Sequence, residues 1–207
     1  MQIVKDGYPF ILVFFVAGVF LLFVFGFWSF LFVIAGILCI LFSLFCIYFF
    51  RDPKVKITQG SNLVISPCNG TVLEVSETET EKVVRVFLSV FDVHLQRSPV
   101  AGKVVHIEHK PGKFLKAMRK DAHILNEQNI ITIENGNGKY FVKQIAGILA
   151  RRCVCWVKTG CVLKAGDKIG IIKFSSQVDL HMPKNVEIMV KNGDKVVSGL
   201  TVFGKYK

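Results

Sequence analysis

The chain has 207 residues, of which 52% are hydrophobic, and a formal net charge of +11. No charged residue occurs from Pro9 to Phe50, and Lys5 and Asp6 cancel, so the net charge belongs to residues 51–207. No nucleic-acid-binding motif accompanies this basic charge. We therefore expect no nucleic-acid partner, and anionic lipid headgroups are the nearer candidate.

The uncharged segment, residues 9–50, predicts a membrane anchor of two helices. One helix of about 42 residues would be about 63 Å long, twice the hydrocarbon thickness of a bilayer. Two helices of about 20 residues fit instead, with "FGFWS" (residues 25–29) as the turn. Gly26 interrupts the helix and Trp28 suits the membrane interface. A secretory signal peptide is the alternative, but the segment is too long and lacks a small-residue cleavage site.

The charges that flank the anchor predict its orientation. Lys5 precedes the first span, Arg51 and Lys54 follow the second, and the turn between the spans is uncharged. Basic residues favour the cytoplasmic side, so both ends of the anchor are expected there. This predicts a protein of the cytoplasmic (inner) membrane, with residues 51–207 facing the cytoplasm.

Cysteine usage agrees with a reducing compartment, and no disulfide framework is expected. Cys153, Cys155 and Cys161 raise the alternative of a zinc site. Their spacing does not match a standard zinc finger or ribbon, and alternate residues of a strand explain the Cys-x-Cys pair. We expect no metal.

Residues 51–207, about 157 residues, are enough for one domain with a real core. The only helical pattern in this part is "KFLKAMRKDAHILNEQ" (residues 113–128). Short β-branched or alternating runs predict strands: "NLVISP", "GTVLEV", "VVRVFLSV", "GKVVHIEH", "NIITIEN", "KYFVKQIAG", "CVCWV", "KIGIIKF" and "VEIMV". Turn signals separate these runs. The pattern predicts a mainly β fold, an antiparallel sandwich or barrel of short strands with one or two small helices.

An internal echo supports a non-enzymatic alternative. "SPCNGTVLEV" is similar to "SPVAGKVVHI", and "LKAGDKIGII" is similar to "VKNGDKVVSG". These pairs resemble the hairpins of lipoyl and biotinyl modules. The modified lysine of such modules, at an exposed hairpin tip and usually flanked by methionine, is not evident. The alternative is therefore a membrane-tethered β-barrel binding module, for example an adaptor of an export pump.

Five stretches, in order along nearly the whole chain, together resemble the short, membrane-anchored phosphatidylserine decarboxylases. They are "RDP", "VISPCNGTV", "SVFDVHLQRSPVAGKV", "NEQNIITIE" with "KQIAGILARR", and "GIIKFSSQVDLHMP". On local sequence alone, the serine pair in the last stretch is typical of a strand end or a turn. The resemblance gives this pair a second interpretation.

Members of that family are proenzymes that cut themselves at a Gly-Ser bond, and the serine becomes a pyruvoyl group. Aligned on Lys-Phe-x-Ser, that serine is Ser176, and Ser175 supplies the carbonyl side of the cut. The resemblance implies fragments of residues 1–175 and 176–207. It also implies that the pyruvoyl group forms a Schiff base with phosphatidylserine and accepts electrons as carbon dioxide leaves, which gives phosphatidylethanolamine. No metal is required.

His94 matches the family histidine that assists both self-cleavage and decarboxylation. A histidine exchanges protons near neutral pH, which suits both steps. The structural alternative is a histidine packed at the rim of a barrel. Asp92 would share a face with His94 on a regular strand, and is a candidate either to orient it or to be a solvated edge charge. The remaining histidines have no matched role: His106, His109, His123 and His181.

The chain departs from the family at two site positions. Asn69 stands where the family has an aspartate that supports the histidine during self-cleavage. Asparagine cannot stabilise an imidazolium by charge, and in a serine-protease triad the comparable change costs about 10⁴ in rate. Ser175 replaces glycine, although a Ser-Ser cut resembles that of pyruvoyl histidine decarboxylase. Its Cβ excludes backbone angles open to glycine. The departures predict slow maturation or a non-cleaving homologue, and a gain in rate from Asn69→Asp.

Substrate binding is predicted at Arg151 and Arg152, because arginine binds phosphate in a bidentate manner. The alternative is a strand with one arginine facing solvent. A basic face is also predicted to touch anionic headgroups: Lys113, Lys116, Arg119 and Lys120. The expected partners are therefore the membrane, its phospholipid substrate and the two cleaved fragments themselves, and a homodimer is left open.

Overall fold

A computed structural model of the chain describes residues 2–115, 121–147, 152–173 and 176–206. The chain divides into two compact units, Met1–Lys54 and Val55–Lys207. The first contains the uncharged segment, and the second contains almost all of the charge. The assignment of catalysis to the second unit stays a prediction.

The first unit is a helical hairpin, as the uncharged segment predicts. Its elements in chain order are β1 (Gln2–Ile3), a 3₁₀ turn (Lys5–Gly7), α1 (Tyr8–Phe20) with a wider helical continuation (Leu21–Phe25), α2 (Phe30–Phe49) and β2 (Arg51–Asp52). Strand β1 pairs antiparallel with β2, so the two ends of the hairpin lie together. Two helical segments, Lys5–Phe25 and Phe30–Phe49, are long and apolar enough to cross a membrane.

Small residues let the two helices of the hairpin approach closely. A Cβ on Gly18 would lie 2.7 Å from Cγ1 of Ile40 and 2.9 Å from the carbonyl oxygen of Gly36. A Cβ on Gly36 would lie 2.7 Å from Cγ of Leu22. Helix α2 begins where the Ser29 hydroxyl accepts a hydrogen bond from the Leu31 N–H, which is the expected role of serine at this position.

The second unit consists mainly of short strands. Its elements in chain order are β3 (Leu63–Ile65), β4 (Gly70–Glu77), β5 (Glu81–Leu88), β6 (Leu95–Arg97), β7 (Gly102–Lys110), α3 (Ala122–Leu125), β8 (Gln128–Asn135), β9 (Gly138–Ile145), β10 (Arg152–Cys155), β11 (Val162–Leu163), β12 (Lys168–Lys173), β13 (Ser176–Pro183), β14 (Val186–Ile188), β15 (Lys195–Val196) and β16 (Val202–Tyr206). These elements confirm the predicted mainly β fold.

The strands of this unit form three antiparallel sheets. The largest is a curled sheet of eight strands in the order β11-β7-β8-β9-β13-β5-β4-β15. The other two have three strands each, β10-β12-β6 and β14-β16-β3. Alternate apolar side chains from the middle of the large sheet form much of the core: Val84, Val86, Leu88, Ile131, Ile133, Tyr140, Val142, Val178, Leu180 and Met182.

The elements that differ from the expectations include the predicted helix and strand β13. The helix predicted over residues 113–128 is helical at α3 within the described part, and residues 116–120 lie outside that part. Strand β13 was not among the predicted strands, although it lies in the middle of the large sheet. Its polar residues Gln177, Asp179 and His181 alternate with core residues, and they too are buried. The sheet therefore buries polar side chains on its second face, where the usual apolar–polar alternation of a strand would place exposed residues.

Candidate active site

Two chain connections place His94 and Ser176 in neighbouring parts of the fold. Residues 89–94 connect β5 to β6, and the two residues before Ser176 connect β12 to β13. Strands β5 and β13 are neighbours in the large sheet, with Leu88 opposite Ser176. Strands β6 and β12 are neighbours in a three-stranded sheet, with Leu95 opposite Ile171. Both connections therefore join the same two sheets, between strands that are paired at each end.

Ser176 is a fully buried serine at the first position of β13. Its hydroxyl oxygen has no hydrogen-bond partner among the residues that the structure describes. A buried hydroxyl without a partner costs about 1–3 kcal/mol, so such a group calls for an explanation in function.

His94 is fully buried and lies outside any strand. Its carbonyl oxygen accepts hydrogen bonds from the Ile172 N–H at 3.2 Å and from Nε2 of Gln96 at 2.6 Å. Its ring nitrogen Nδ1 lies 3.0 Å from the carbonyl oxygen of Asp92. Because a carbonyl can only accept, Nδ1 must carry the proton. In the neutral ring, Nε2 then holds the lone pair, which is the form a general base requires.

Asp92 contacts His94 through its main chain. The Asp92 carboxylate accepts a hydrogen bond from the Ser89 N–H at 2.8 Å and so closes the turn after β5. The expectation of a regular strand, with the Asp92 and His94 side chains on one face, does not apply, because both residues lie in the connection. Instead, the imidazole of His94 contacts the main-chain carbonyl of Asp92.

Asn69 lies in the turn between β3 and β4, and its side chain contacts another part of the chain. Its Oδ1 accepts a hydrogen bond from the Ser198 N–H at 3.1 Å. The adjacent Cys68 is fully buried. Burial raises the pKa of the Cys68 thiol, and the carboxylates of Asp92 and Asp179 raise it further, so this thiol stays protonated. Asn69 thus ties its turn to the segment between β15 and β16.

Of the two predicted arginines, the structure describes Arg152 and not Arg151. Arg151 and Ser175 lie outside the described residues, as do Lys116, Arg119 and Lys120 of the basic face. Arg152 begins β10, is exposed, and lies directly opposite Lys173, the last residue of β12. Like charges opposite each other on paired strands repel.

Neither cysteines nor histidines form a metal centre in the described ranges, where no three potential metal ligands come together. Cys153 and Cys155 are alternate residues of β10, and burial raises the pKa of both thiols. His106 and His109 both lie on β7.

Sequence reasoning missed a buried ion pair on the strand that begins with Ser176. The Asp179 carboxylate accepts hydrogen bonds from Nε2 of Gln177 at 2.6 Å and from Nε of Arg85 at 3.3 Å. Burial raises the pKa of Asp179, whereas the Gln177 hydrogen bond and the Arg85 charge lower it. Arg85 also contacts Glu74 at 2.5 Å, which completes a network across three strands. The alternation of polar residues in "SQVDLH" was the available signal.

A buried serine at the end of one connection and a buried histidine in the adjoining connection would suit a nucleophile and its base. Comparison with known proteins identifies which enzyme family. A family model described as phosphatidylserine decarboxylase matches residues 42–204. The chain therefore belongs to the phosphatidylserine decarboxylase family, which confirms the resemblance and the prediction of an enzyme of this class.

Three curated relatives, each named phosphatidylserine decarboxylase proenzyme, support this assignment. The relative from Carboxydothermus hydrogenoformans is 41% identical over 180 residues, which covers 83% of this chain and 84% of the relative. That from Symbiobacterium thermophilum is 39% identical over 211 residues, covering 98% and 95%. That from Magnetococcus marinus is 40% identical over 216 residues, covering 99% and 95%.

Proposed function

We propose that this protein decarboxylates phosphatidylserine to phosphatidylethanolamine, using a pyruvoyl group that it makes by cutting itself between Ser175 and Ser176. Family membership supports the reaction, and the word "proenzyme" in the relatives' names supports maturation by cleavage. The observation that carries the proposal is the buried hydroxyl of Ser176, which lies beside the connection that holds His94 and has no hydrogen-bond partner among the described residues.

Self-cleavage begins when Oγ of Ser176 attacks the carbonyl carbon of Ser175. His94 accepts the hydroxyl proton, and the peptide bond is exchanged for an ester as the Ser176 nitrogen becomes a free amine. Loss of the Ser176 Cα proton then expels the Ser175 carboxylate from Cβ. Water hydrolyses the dehydroalanine that remains, releasing ammonia and leaving a pyruvoyl group.

The surroundings of position 176 fit a pyruvoyl group. The first residue of β13 is buried and paired with Leu88, so a new chain end there would be held by the sheet and shielded from water. A pyruvoyl group supplies a ketone that binds the substrate amine and withdraws the electrons left by carbon dioxide. His94 holds a proton and returns it to the substrate carbon. Arg152, one of the two predicted phosphate ligands, binds the phosphate.

The two fragments stay together because the small fragment provides interior strands. Strand β13 lies between β9 and β5 in the middle of the large sheet, and its register covers residues of both neighbours. Strand β16 lies between β14 and β3, and β15 pairs with β4 at the sheet edge. A non-covalent complex of residues 1–175 and 176–207 is therefore the proposed mature enzyme. A homodimer of that complex stays a prediction.

The enzyme acts at the cytoplasmic face of the membrane, held by the hairpin of α1 and α2. The uncharged segment between basic flanks supports this orientation. Lys113 of the predicted basic face is exposed, and near it Phe114, Ile124 and Leu125 expose apolar surface. Cationic and apolar side chains on one surface suit the interface of an anionic bilayer.

The activity is tested with the full chain in vesicles that contain phosphatidylserine labelled at the serine carboxyl group. The native chain should release labelled carbon dioxide and form phosphatidylethanolamine, and Ser176→Ala should release none. A native chain that neither cleaves nor releases carbon dioxide would instead favour the membrane-tethered binding module.

A further inference from the structure

A row of three buried amide side chains begins at His94 and crosses two sheets. Gln96 and Gln144 are 0% exposed and Asn129 is 6% exposed, on β6, β9 and β8 respectively. Nε2 of Gln96 donates to the His94 carbonyl at 2.6 Å, and Nε2 of Gln144 donates to Oε1 of Gln96 at 2.8 Å. Nδ2 of Asn129 donates to Oε1 of Gln144 at 3.2 Å. We call Gln96, Gln144 and Asn129 the amide row.

The amide row has one direction of donation, set by the His94 carbonyl. Since that carbonyl only accepts, Gln96 must present its NH₂ group to it and its oxygen to Gln144. Gln144 must then direct its NH₂ group toward the oxygen of Gln96, and Asn129 must direct its NH₂ group toward the oxygen of Gln144. The far end agrees, because Nδ2 of Asn129 also donates to the Cys153 carbonyl at 2.9 Å and its Oδ1 lies 2.8 Å from Nδ1 of His109. An amide that flips would break a hydrogen bond on each side.

The fold makes space for this row at one glycine. A Cβ on Gly170, in β12, would lie 2.6 Å from Nε2 of Gln144 and 2.3 Å from the carbonyl oxygen of Val154. Gly170 is the register partner of Gln96 across β12 and β6. The absence of a side chain at position 170 therefore lets the Gln144 amide reach between strands to its partner.

We propose that the amide row is a positioning device for His94, an inference that rests on the self-cleavage proposed above. His94 lies in a connection without regular structure, and its side chain must keep one place relative to Ser176. Gln96 and the Ile172 N–H hold the His94 carbonyl, and Gln144 ties Gln96 to the middle of the large sheet. Gln96 and Gln144 are thus positioning residues, since they act through His94.

The test compares variants of the full chain that alter donation at position 144. Gln144→Met keeps the approximate volume but removes the donor and acceptor, and should slow self-cleavage about tenfold or more. In Gln144→Glu, a protonated carboxyl can donate to Gln96 and accept from Asn129, whereas a carboxylate cannot donate. Burial raises the pKa of a carboxyl group. The cleavage rate of this variant, relative to the native chain, should therefore rise as the pH is lowered from about 8 to about 6.

Gln128→Met is the matched control. Gln128 is 5% exposed on the same strand as Asn129, and its Nε2 donates to the carbonyls of His123 and Ile124 at 2.8 and 3.4 Å, outside the amide row. It should cleave at the native rate. The thermal unfolding temperature of each variant is measured alongside, and the rise with falling pH in Gln144→Glu does not depend on whether Gln144→Met folds.

The outcomes separate this inference from the proposed function. A native chain that cleaves, together with Gln144→Met cleaving equally fast, would overturn the role of the amide row alone. Equal slowing by Gln128→Met would also overturn it, because the loss would then follow from any buried amide. A flat pH profile for the Gln144→Glu ratio would do the same. A native chain that never cleaves would overturn the proposed function itself.

Discussion

Nδ1 of His94 donates a hydrogen bond to the carbonyl oxygen of Asp92 at a distance of 3.0 Å. This contact uses the main chain for a task that a carboxylate performs in a serine-protease triad, namely holding the imidazole in one tautomer. It leaves Nε2 as the nitrogen that can accept a proton. The Asp92 carboxylate stabilises the same contact indirectly, because it closes the turn at Ser89.

The first prediction concerns Asn69→Asp, and it revises the sequence-based expectation of a faster reaction. Because the Asp92 carbonyl already holds Nδ1 of His94 and Oδ1 of Asn69 already accepts from the Ser198 N–H, the new carboxylate should change the self-cleavage rate by less than about threefold. The measurement is the fraction of two-chain protein over time after synthesis. A gain of about tenfold or more would show that position 69 requires a charge.

The second prediction concerns the turn at Ser89. Asp92→Ala removes the acceptor that closes this turn and should slow self-cleavage, whereas Asp92→Asn retains an oxygen for the Ser89 N–H and should cleave close to the native rate. The same time course of two-chain protein provides the readout. Equal slowing in both variants would assign the effect to the charge of Asp92 rather than to the turn.

The third prediction concerns the two fragments after cleavage. Residues 176–207 should remain bound through size-exclusion chromatography in detergent and should separate only in denaturant, because β13 is an interior strand. Leu180→Ala removes a fully buried side chain of β13 and should weaken this association by about 2–5 kcal/mol. The urea concentration that releases the fragment measures the change. Loss of the native fragment without denaturant would contradict the interior position of β13.

The fourth prediction concerns phosphate binding at the end of β12. Arg152→Gln should raise KM for phosphatidylserine about tenfold, since a charged hydrogen bond to phosphate is lost, and should leave self-cleavage unchanged. Lys168→Gln, at the opposite end of β12, is the matched control for a lost surface charge and should leave KM near the native value. Similar KM changes in both variants would indicate a general effect of net charge.

The fifth prediction concerns the side of the membrane. The Ser29 hydroxyl caps α2, so a thiol is better placed at Phe27, which is 92% exposed in the turn. Phe27→Cys in a Cys161→Ser background should react with a membrane-impermeant maleimide added outside intact cells. The Cys161→Ser chain alone is the control for background labelling. Reaction only after the membrane is opened would reverse the proposed topology.

The sequence predicted the parts of the structure that follow local rules. An uncharged segment that would form a single helix twice as long as the hydrocarbon thickness of a bilayer predicts a hairpin. Short β-branched runs between turn residues predict strands. Strand β13 was missed although Gln177, Asp179 and His181 alternate with apolar residues, and its sequence does not show that all three polar side chains are buried. Burial of a polar residue depends on partners such as Arg85, far away in the chain, and local sequence does not reveal them.

The sequence pointed to candidate site residues but not to their contacts. Motif resemblance pointed to His94 and Ser176, and the strand pairings explain how their two connections meet. The partner of Nδ1 was missed because a main-chain carbonyl carries no sequence signal. The amide row was missed for a related reason: Gln96 and Gln144 are separated by 48 positions and lie on strands of two different sheets.

The most direct test of self-cleavage is the intact mass of the native chain after denaturation. Self-cleavage between Ser175 and Ser176 should give two masses, one for residues 1–175 and one for residues 176–207. The smaller fragment should be blocked to Edman degradation by its pyruvoyl end. Ser176→Ala should give one uncut mass, whereas Ser175→Ala should still give two, because position 175 supplies only a carbonyl. A single uncut mass for the native chain, unchanged in an Asn69→Asp, Ser175→Gly double variant, would contradict self-cleavage and the decarboxylase mechanism built on it.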